Sequence, residues 1–120
     1  MERHIAIPVK NLEDSEKFYK ENFGFYGFEK WERPEMNLMG LWAKDDSGFV
    51  LEFIYHPDNK KINFSGIIPH IGFQVKDLKA KMKELEEKVE VIKPISKGIS
   101  VKRIAFIKDP NGLAIEFYER

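Results

Sequence analysis

The chain has 120 residues, of which 42% are hydrophobic and 33% charged, with 20 basic and 20 acidic side chains. This composition predicts one soluble domain, and the balanced charge argues against binding to nucleic acid or to an anionic membrane surface. No apolar run approaches the ~20 residues of a membrane span, there is no Cys, and the N-terminal residues lead directly into a predicted strand without a signal-peptide pattern. We therefore expect a cytoplasmic protein.

The first half of the chain predicts a strand, a helix and three further strands. Residues 4–9 alternate between an apolar face and a small, polar face that carries His4 and Ala6. Asn11 is a favourable N-cap for a helix that runs to about Asn22, and Gly24 is suited to its C-terminal end. Strands are then predicted at residues 25–32, 41–44 and 49–55, with a loop at 33–40.

The second half repeats this order after a polar connector at residues 58–68. A strand at 70–75 precedes a helix that Asp77 caps, and a short strand at 89–92 leads to a loop at 94–100. A closing hairpin turns at the sequence Asp-Pro-Asn-Gly, which is strong turn chemistry. The predicted fold class is α+β, with two tandem βαβββ modules at residues 1–57 and 69–120 of a single domain.

The two modules are also related in sequence. Residues 42–53 can be laid on 106–117 and residues 4–12 on 70–78, and several side chains are then identical. Two of these identities carry chemistry: His4 matches His70, and Glu52 matches Glu116. Each module therefore begins with a His in a strand and ends with a Glu in a strand, which is the pattern of a duplicated unit.

The matched pairs indicate a metal site. If the modules are related by approximate two-fold symmetry, two imidazoles and two carboxylates can converge, and such a set binds a divalent ion such as Zn, Ni, Co, Fe or Mn. A single strand His is more often structural, a single Glu often lies on a solvated face, and duplication alone could preserve similarity. None of these three explanations requires that both His and both Glu residues are kept in the two modules. We therefore favour a site that binds one divalent metal ion.

Three motifs resemble the vicinal-oxygen-chelate superfamily, which includes glyoxalase I, extradiol dioxygenases and bleomycin resistance proteins. They are HIAIPVKNLEDSEKFY, HIGFQVKDL and FIKDPNGLAIEFYE. The resemblance implies that the modules form a cup-shaped mixed sheet around the metal, with helices outside. It further implies the ligand set His4, Glu52, His70 and Glu116, similar to that of glyoxalase I, and a homodimer in which two chains complete each site.

The resemblance to glyoxalase I also implies an activity. A metal-dependent lyase or isomerase removes a proton beside a metal-chelated carbonyl, with Glu116 as general base and Glu52 able to act on the other face of the substrate. The implied substrate is a hemithioacetal of a 2-oxoaldehyde. Two alternatives remain open within the superfamily: an epimerase of a 2-substituted acyl-CoA, and a non-catalytic protein that binds a small molecule of the antibiotic type.

The sequence departs from glyoxalase I in residues that bear on the substrate. Pro8 stands near the place of an Arg that helps to hold glutathione, and His56 replaces an Asn that commonly follows the first Glu strand. Arg33 and Lys97 remain candidates for contact with an anionic substrate, together with His56. Glutathione specificity therefore does not follow from the motifs.

Overall fold

The structure is a computed structural model that describes residues 1–120. The chain divides into two compact units, Met1–Asn63 and Phe64–Arg120. Each unit contains one α-helix and a four-stranded mixed sheet, in the order β-α-β-β-β. The predicted α+β class and the two βαβββ modules are confirmed. Neither α-helix has the length and apolar character that a membrane span requires.

The first unit has one α-helix and four strands, and its sheet order is β1-β4-β3-β2. In chain order the elements are β1 (His4–Val9), α1 (Leu12–Phe23), β2 (Tyr26–Arg33), β3 (Leu38–Lys44) and β4 (Val50–Tyr55). β1 pairs with β4 in parallel, and the other pairs are antiparallel. Tyr19 of α1 packs against Phe53 of the sheet with ring centroids 5.0 Å apart, and both residues are buried.

The ends of α1 follow from local chemistry, as the sequence predicts. The side chain of Asn11 accepts a hydrogen bond from the Asp14 backbone N–H at 2.9 Å, which satisfies one of the free donors of the first turn. Gly24 ends the helix with φ at 70°, a left-handed conformation that glycine adopts without steric cost. The helix then leads directly into β2.

The second unit repeats the arrangement, with the sheet order β5-β8-β7-β6. Its elements are β5 (His70–Gln74), α2 (Leu78–Leu85), β6 (Glu90–Lys97), β7 (Arg103–Lys108) and β8 (Ala114–Glu119). Asp77 caps α2 by accepting a hydrogen bond from the Ala80 N–H at 2.9 Å. Leu78 and Leu85 of the helix are buried, as are Ile115 and Phe117 of β8. The parallel pair is again the first strand with the last.

Two strands are longer than the sequence predicts. The predicted loop at 33–40 is wrong in its extent. A short 3₁₀ turn at Pro34–Met36, followed by Asn37 in a left-handed conformation, reverses the direction of the chain, and β3 begins at Leu38. The expected loop at 94–100 is also wrong in its extent, since β6 continues to Lys97. Pro94 is tolerated because β6 is an edge strand and its pairing with β7 is irregular between Lys93 and Ser96.

A buried carboxylate joins three elements of the second unit. Glu119 on β8 receives hydrogen bonds from Arg103 Nε at 2.7 Å and from the Leu78 backbone N–H at 2.8 Å. Leu78 is the first residue of α2, so the carboxylate also satisfies a free N–H at the start of this helix. These interactions lower the pKa of Glu119, chiefly through the hydrogen bond from Arg103. The same bond raises the pKa of Arg103.

The lowered pKa of Glu119 predicts a pH-dependent contribution to stability. The contribution is complete above the ordinary carboxyl value of 4.5 and is lost as the pH falls through the lower pKa of the folded protein. The variant Glu119→Gln should melt at a lower temperature than the wild type near neutral pH, and the difference should shrink in acid. Thermal melts of both proteins from pH 7 to pH 3 measure this. A difference that stays constant across the range contradicts the assignment.

Candidate metal centre

The first unit brings His4 and Glu52 together on one face of its sheet. Glu52 lies in the middle of β4, and the parallel pairing with β1 sets it opposite Ala6, two residues after His4. His4 Nε2 and Glu52 Oε1 are 3.5 Å apart. On the other side of Glu52, β3 contributes Trp42, whose ring is roughly perpendicular to the His4 imidazole at a centroid distance of 4.6 Å.

The second unit builds the same pair from the equivalent strands. Glu116 lies on β8 opposite Gly72 of β5 and Phe106 of β7. His70 Nε2 and Glu116 Oε1 are 3.7 Å apart, and the imidazole is nearly perpendicular to the Phe106 ring at a centroid distance of 5.3 Å. The predicted residues therefore form two His–Glu pairs, one in each unit, each beside an aromatic ring.

The tautomer of His70 is set by the backbone. Its Nδ1 lies 2.6 Å from the carbonyl oxygen of Ile67. Because a carbonyl can only accept a hydrogen bond, Nδ1 must carry a hydrogen, and Nε2, on the side of Glu116, is the ring nitrogen left for a metal ion. Metal-binding imidazoles are commonly oriented in this way by a hydrogen bond from the other ring nitrogen.

The donor atoms of each pair fit a single divalent ion. Two N or O ligands about 2.1 Å from a tetrahedral zinc ion are about 3.4 Å apart, close to the separation within each pair. Within either unit, no third His, Cys, Asp or Glu joins the pair. The Glu52 and Glu116 side chains are 15% and 19% exposed, so both carboxylates remain accessible to an ion and to a substrate. Each unit thus supplies one imidazole and one carboxylate.

The three predicted substrate-binding residues differ in their surroundings. Arg33 is exposed at the end of β2, and its Nη1 donates to the Glu32 carbonyl at 3.1 Å. Lys97 is exposed at the end of β6. His56 precedes a 3₁₀ turn, and its Nδ1 accepts a hydrogen bond from the Asp58 N–H at 3.0 Å. That bond gives His56 a capping role that the sequence pattern did not predict.

Two neighbours of the His–Glu pairs were also missed. The contact between Phe106 and His70 was not predicted. The sequence repeat aligns Phe106 with Trp42, so an aromatic ring beside each His could have been expected from the alignment. The contact between His70 and the Ile67 carbonyl could not be predicted from the sequence, because every residue has a backbone carbonyl whatever its side chain.

Similar proteins cover almost the whole chain. The family model of the Glyoxalase/Bleomycin resistance protein/Dioxygenase superfamily matches residues 3–117. The uncharacterized protein YwkD of Bacillus subtilis (strain 168) is 30% identical, and the match covers 98% of this chain and 94% of that protein. A lactoylglutathione lyase of Neisseria meningitidis serogroup A is 28% identical, with 98% and 88% covered.

A solved structure agrees with the sequence matches. The structure described for the trypanothione-dependent glyoxalase I of Leishmania major superposes with a TM-score of 0.77 at 27% identity, covering 97% of this chain and 84% of that one. The paired βαβββ units, the repeated His–Glu pairs and a family match across nearly the full length agree with one another. The chain therefore belongs to the Glyoxalase/Bleomycin resistance protein/Dioxygenase superfamily.

Proposed function

We propose that the protein is a metal-dependent lyase or isomerase of the glyoxalase I type. The observation that carries the proposal is the His–Glu pair that each unit builds from equivalent strands, His4 with Glu52 and His70 with Glu116. Similarity to lactoylglutathione lyases supports the same reaction class. The proposed substrate is a hemithioacetal of a 2-oxoaldehyde.

In this proposal the four side chains hold one divalent ion, with Ni, Zn, Co, Fe and Mn as candidates. The bound ion supplies Lewis-acid stabilisation of the negative charge that develops on adjacent substrate oxygens. We propose that two chains form a homodimer and complete each site together, as the family resemblance implies. Each chain would then contribute both of its His–Glu pairs to the assembly.

Glu116 is the proposed general base. Its carboxylate removes the proton from the carbon beside the carbonyl, the C–H electron pair passes towards the carbonyl oxygen, and the proton returns from Glu116 to the neighbouring carbon. The product is therefore an isomer of the substrate, and no other reactant is needed. Glu52 stands in the equivalent position for the other face of the substrate. Both carboxylates are partly exposed, which such a role requires.

Three further residues are proposed to contact an anionic part of the substrate. Arg33 and Lys97 are exposed cations at strand ends, and they can move towards a carboxylate without losing a buried contact. His56 has its Nδ1 occupied by the Asp58 N–H, so only Nε2 is available to a ligand. We expect these residues to affect KM more than kcat.

The test begins with the wild-type protein purified without a His-tag or added metal. We expect about one divalent ion per chain by elemental analysis, and conversion of the methylglyoxal–glutathione hemithioacetal that a chelator abolishes and added metal restores. Light scattering at micromolar concentration should show a dimer. Protein that neither contains nor takes up a divalent ion contradicts the proposal.

The same preparation separates the two alternatives. Exchange of the proton beside an acyl-CoA thioester in D₂O, without turnover of the hemithioacetal, indicates an epimerase instead. Tight binding of a small aromatic ligand that a chelator leaves unchanged indicates a binding protein without metal chemistry. Either result replaces the lyase assignment.

A further inference from the structure

The first unit has an open cavity at the start of α1, on the face of the sheet that carries this helix. Its volume is about 440 Å³, and its lining includes Leu12 of α1, Met39 of β3 and Tyr55 of β4. Side chains alternate between the two faces of a strand, so Tyr55 lies on the same face of β4 as Phe53, which packs against α1. Glu52 lies on the other face. The cavity is therefore separate from the candidate metal centre.

The second unit fills the equivalent place with a carboxylate of its own. The sequence repeat aligns Met39 with Arg103 and Tyr55 with Glu119. In each unit the two residues are cross-strand neighbours in the same antiparallel register. Glu119 accepts a hydrogen bond at 2.8 Å from the backbone N–H of Leu78, the first residue of α2, and pairs with Arg103. This place in the fold thus holds a carboxylate against the first N–H of a helix.

The first unit leaves the start of its helix without that carboxylate. The N-cap side chain accepts the hydrogen bond of the Asp14 N–H, but no group of the chain accepts one from the N–H of Leu12 or Glu13. Tyr55 stands where the second unit has Glu119, and it offers no carboxylate. Free N–H groups at a helix N-terminus carry partial positive charge and bind anions. The open end of α1 can therefore take an anion from outside the chain.

The charges around the cavity restrict the kind of anion. The charged side chains of its lining are all exposed and comprise two cations and two carboxylates, Lys10, Lys30, Glu13 and Glu32. Because these four charges cancel, the lining does not match a polyanion such as a nucleotide, whereas the N–H groups of the helix match a single carboxylate. Met39 and Tyr55 add a thioether and an aromatic ring, which suit an apolar group.

We propose that this cavity binds a small carboxylic acid with an apolar body. The carboxylate of the ligand takes the place at α1 that Glu119 holds at α2, and it accepts hydrogen bonds from the N–H groups of Leu12 and Glu13. The apolar body lies against Met39 and Tyr55. The site is on the face of the sheet opposite the His–Glu pair, so the inference goes beyond the proposed function and does not depend on it.

A titration with hexanoate tests the site in the wild-type protein. Hexan-1-ol is the matched control, because it has the same apolar chain without the charge. We expect hexanoate to shift the amide resonances of Leu12 and Glu13 saturably in the millimolar range, as measured by heteronuclear NMR, and hexan-1-ol to leave them in place. No shift with hexanoate, or equal shifts with hexan-1-ol, overturns the inference.

A double variant transfers the internal ligand of the second unit to the first. Met39→Arg combined with Tyr55→Glu should place a carboxylate at the start of α1 and lower the affinity for hexanoate by about tenfold or more, the scale of a lost hydrogen bond to a charged group. The Glu13 amide resonance reports the affinity. A thermal melt shows that the variant is folded.

A second variant removes one N–H and leaves the cavity unfilled. Leu12→Pro suits the first position of a helix, and Asn11 before it has the extended backbone that a following proline requires. The variant should fold and bind hexanoate several-fold more weakly than the wild type. Unchanged hexanoate affinity in either folded variant overturns the inference. The metal content of the same proteins reports on the proposed function separately.

Discussion

Replacement of Glu116 by Gln is expected to lower kcat for the hemithioacetal by about 10²–10⁴-fold, which is the usual contribution of a general base. The amide has nearly the shape of the carboxylate but cannot accept the proton from the substrate carbon. Because the substrate is bound by other groups, KM should change much less. Steady-state kinetics at saturating metal measure both constants.

Glu119→Gln is the matched control for this experiment. Glu119 lies on the same strand as Glu116, but its carboxylate is engaged with Arg103 and the start of α2. The control should retain the wild-type kcat below its melting temperature. If Glu116→Gln keeps its activity while Glu52→Gln loses it, the general base is Glu52 and the assignment of roles is reversed.

Loss of His70 is expected to weaken metal binding by more than about 100-fold, beyond the 10–100-fold cost of removing a residue that only orients a ligand. The Ile67 carbonyl fixes the His70 ring with Nε2 towards Glu116, so His70→Ala removes a ligand that is already oriented. His4→Ala should also weaken binding, but less, since the His4 side chain is 42% exposed and its ring is steered by contact with Trp42. Calorimetric titration with Co²⁺ compares the two.

The third histidine provides the control for these titrations. His56 caps a 3₁₀ turn and does not pair with either Glu of the site, so His56→Ala should bind Co²⁺ as the wild type does. Equal metal affinity of His70→Ala and the wild type would remove His70 from the metal site. An effect of His56→Ala as large as that of His70→Ala would show that the titration reports general destabilisation.

The repeat accounts for most of what the sequence could predict. The alignment of His4 with His70 and of Glu52 with Glu116 predicts that these residues lie on equivalent strands of the two units. In the structure each His lies close to the Glu of its own unit. The helix caps at Asn11 and Asp77 could be predicted because each cap is a hydrogen bond to a backbone N–H only three residues further along the chain. Helix caps depend on near neighbours in sequence, and both caps were confirmed.

The features that sequence could not predict depend on contacts between strands. The continuation of β6 through Pro94 was missed because proline is acceptable only where no partner needs its N–H, and an edge position is a property of the sheet. Glu119 appeared as one more charged residue at the chain end, yet its partners come from β7 and α2. The Ile67 carbonyl beside His70 belongs to the same class of interaction.

The closure of each sheet within its own unit has a consequence for folding kinetics. The most distant pairings, β1 with β4 and β5 with β8, span one half of the chain, and no strand pairs across the boundary at Asn63. The entropic cost of closing a loop rises with the number of residues that the loop encloses. Each parallel pairing closes a loop within one unit, so its cost is lower than for a pairing between the two ends of the whole chain. The longest strand pairing in each sheet is therefore set by the length of one unit and not by the length of the whole chain.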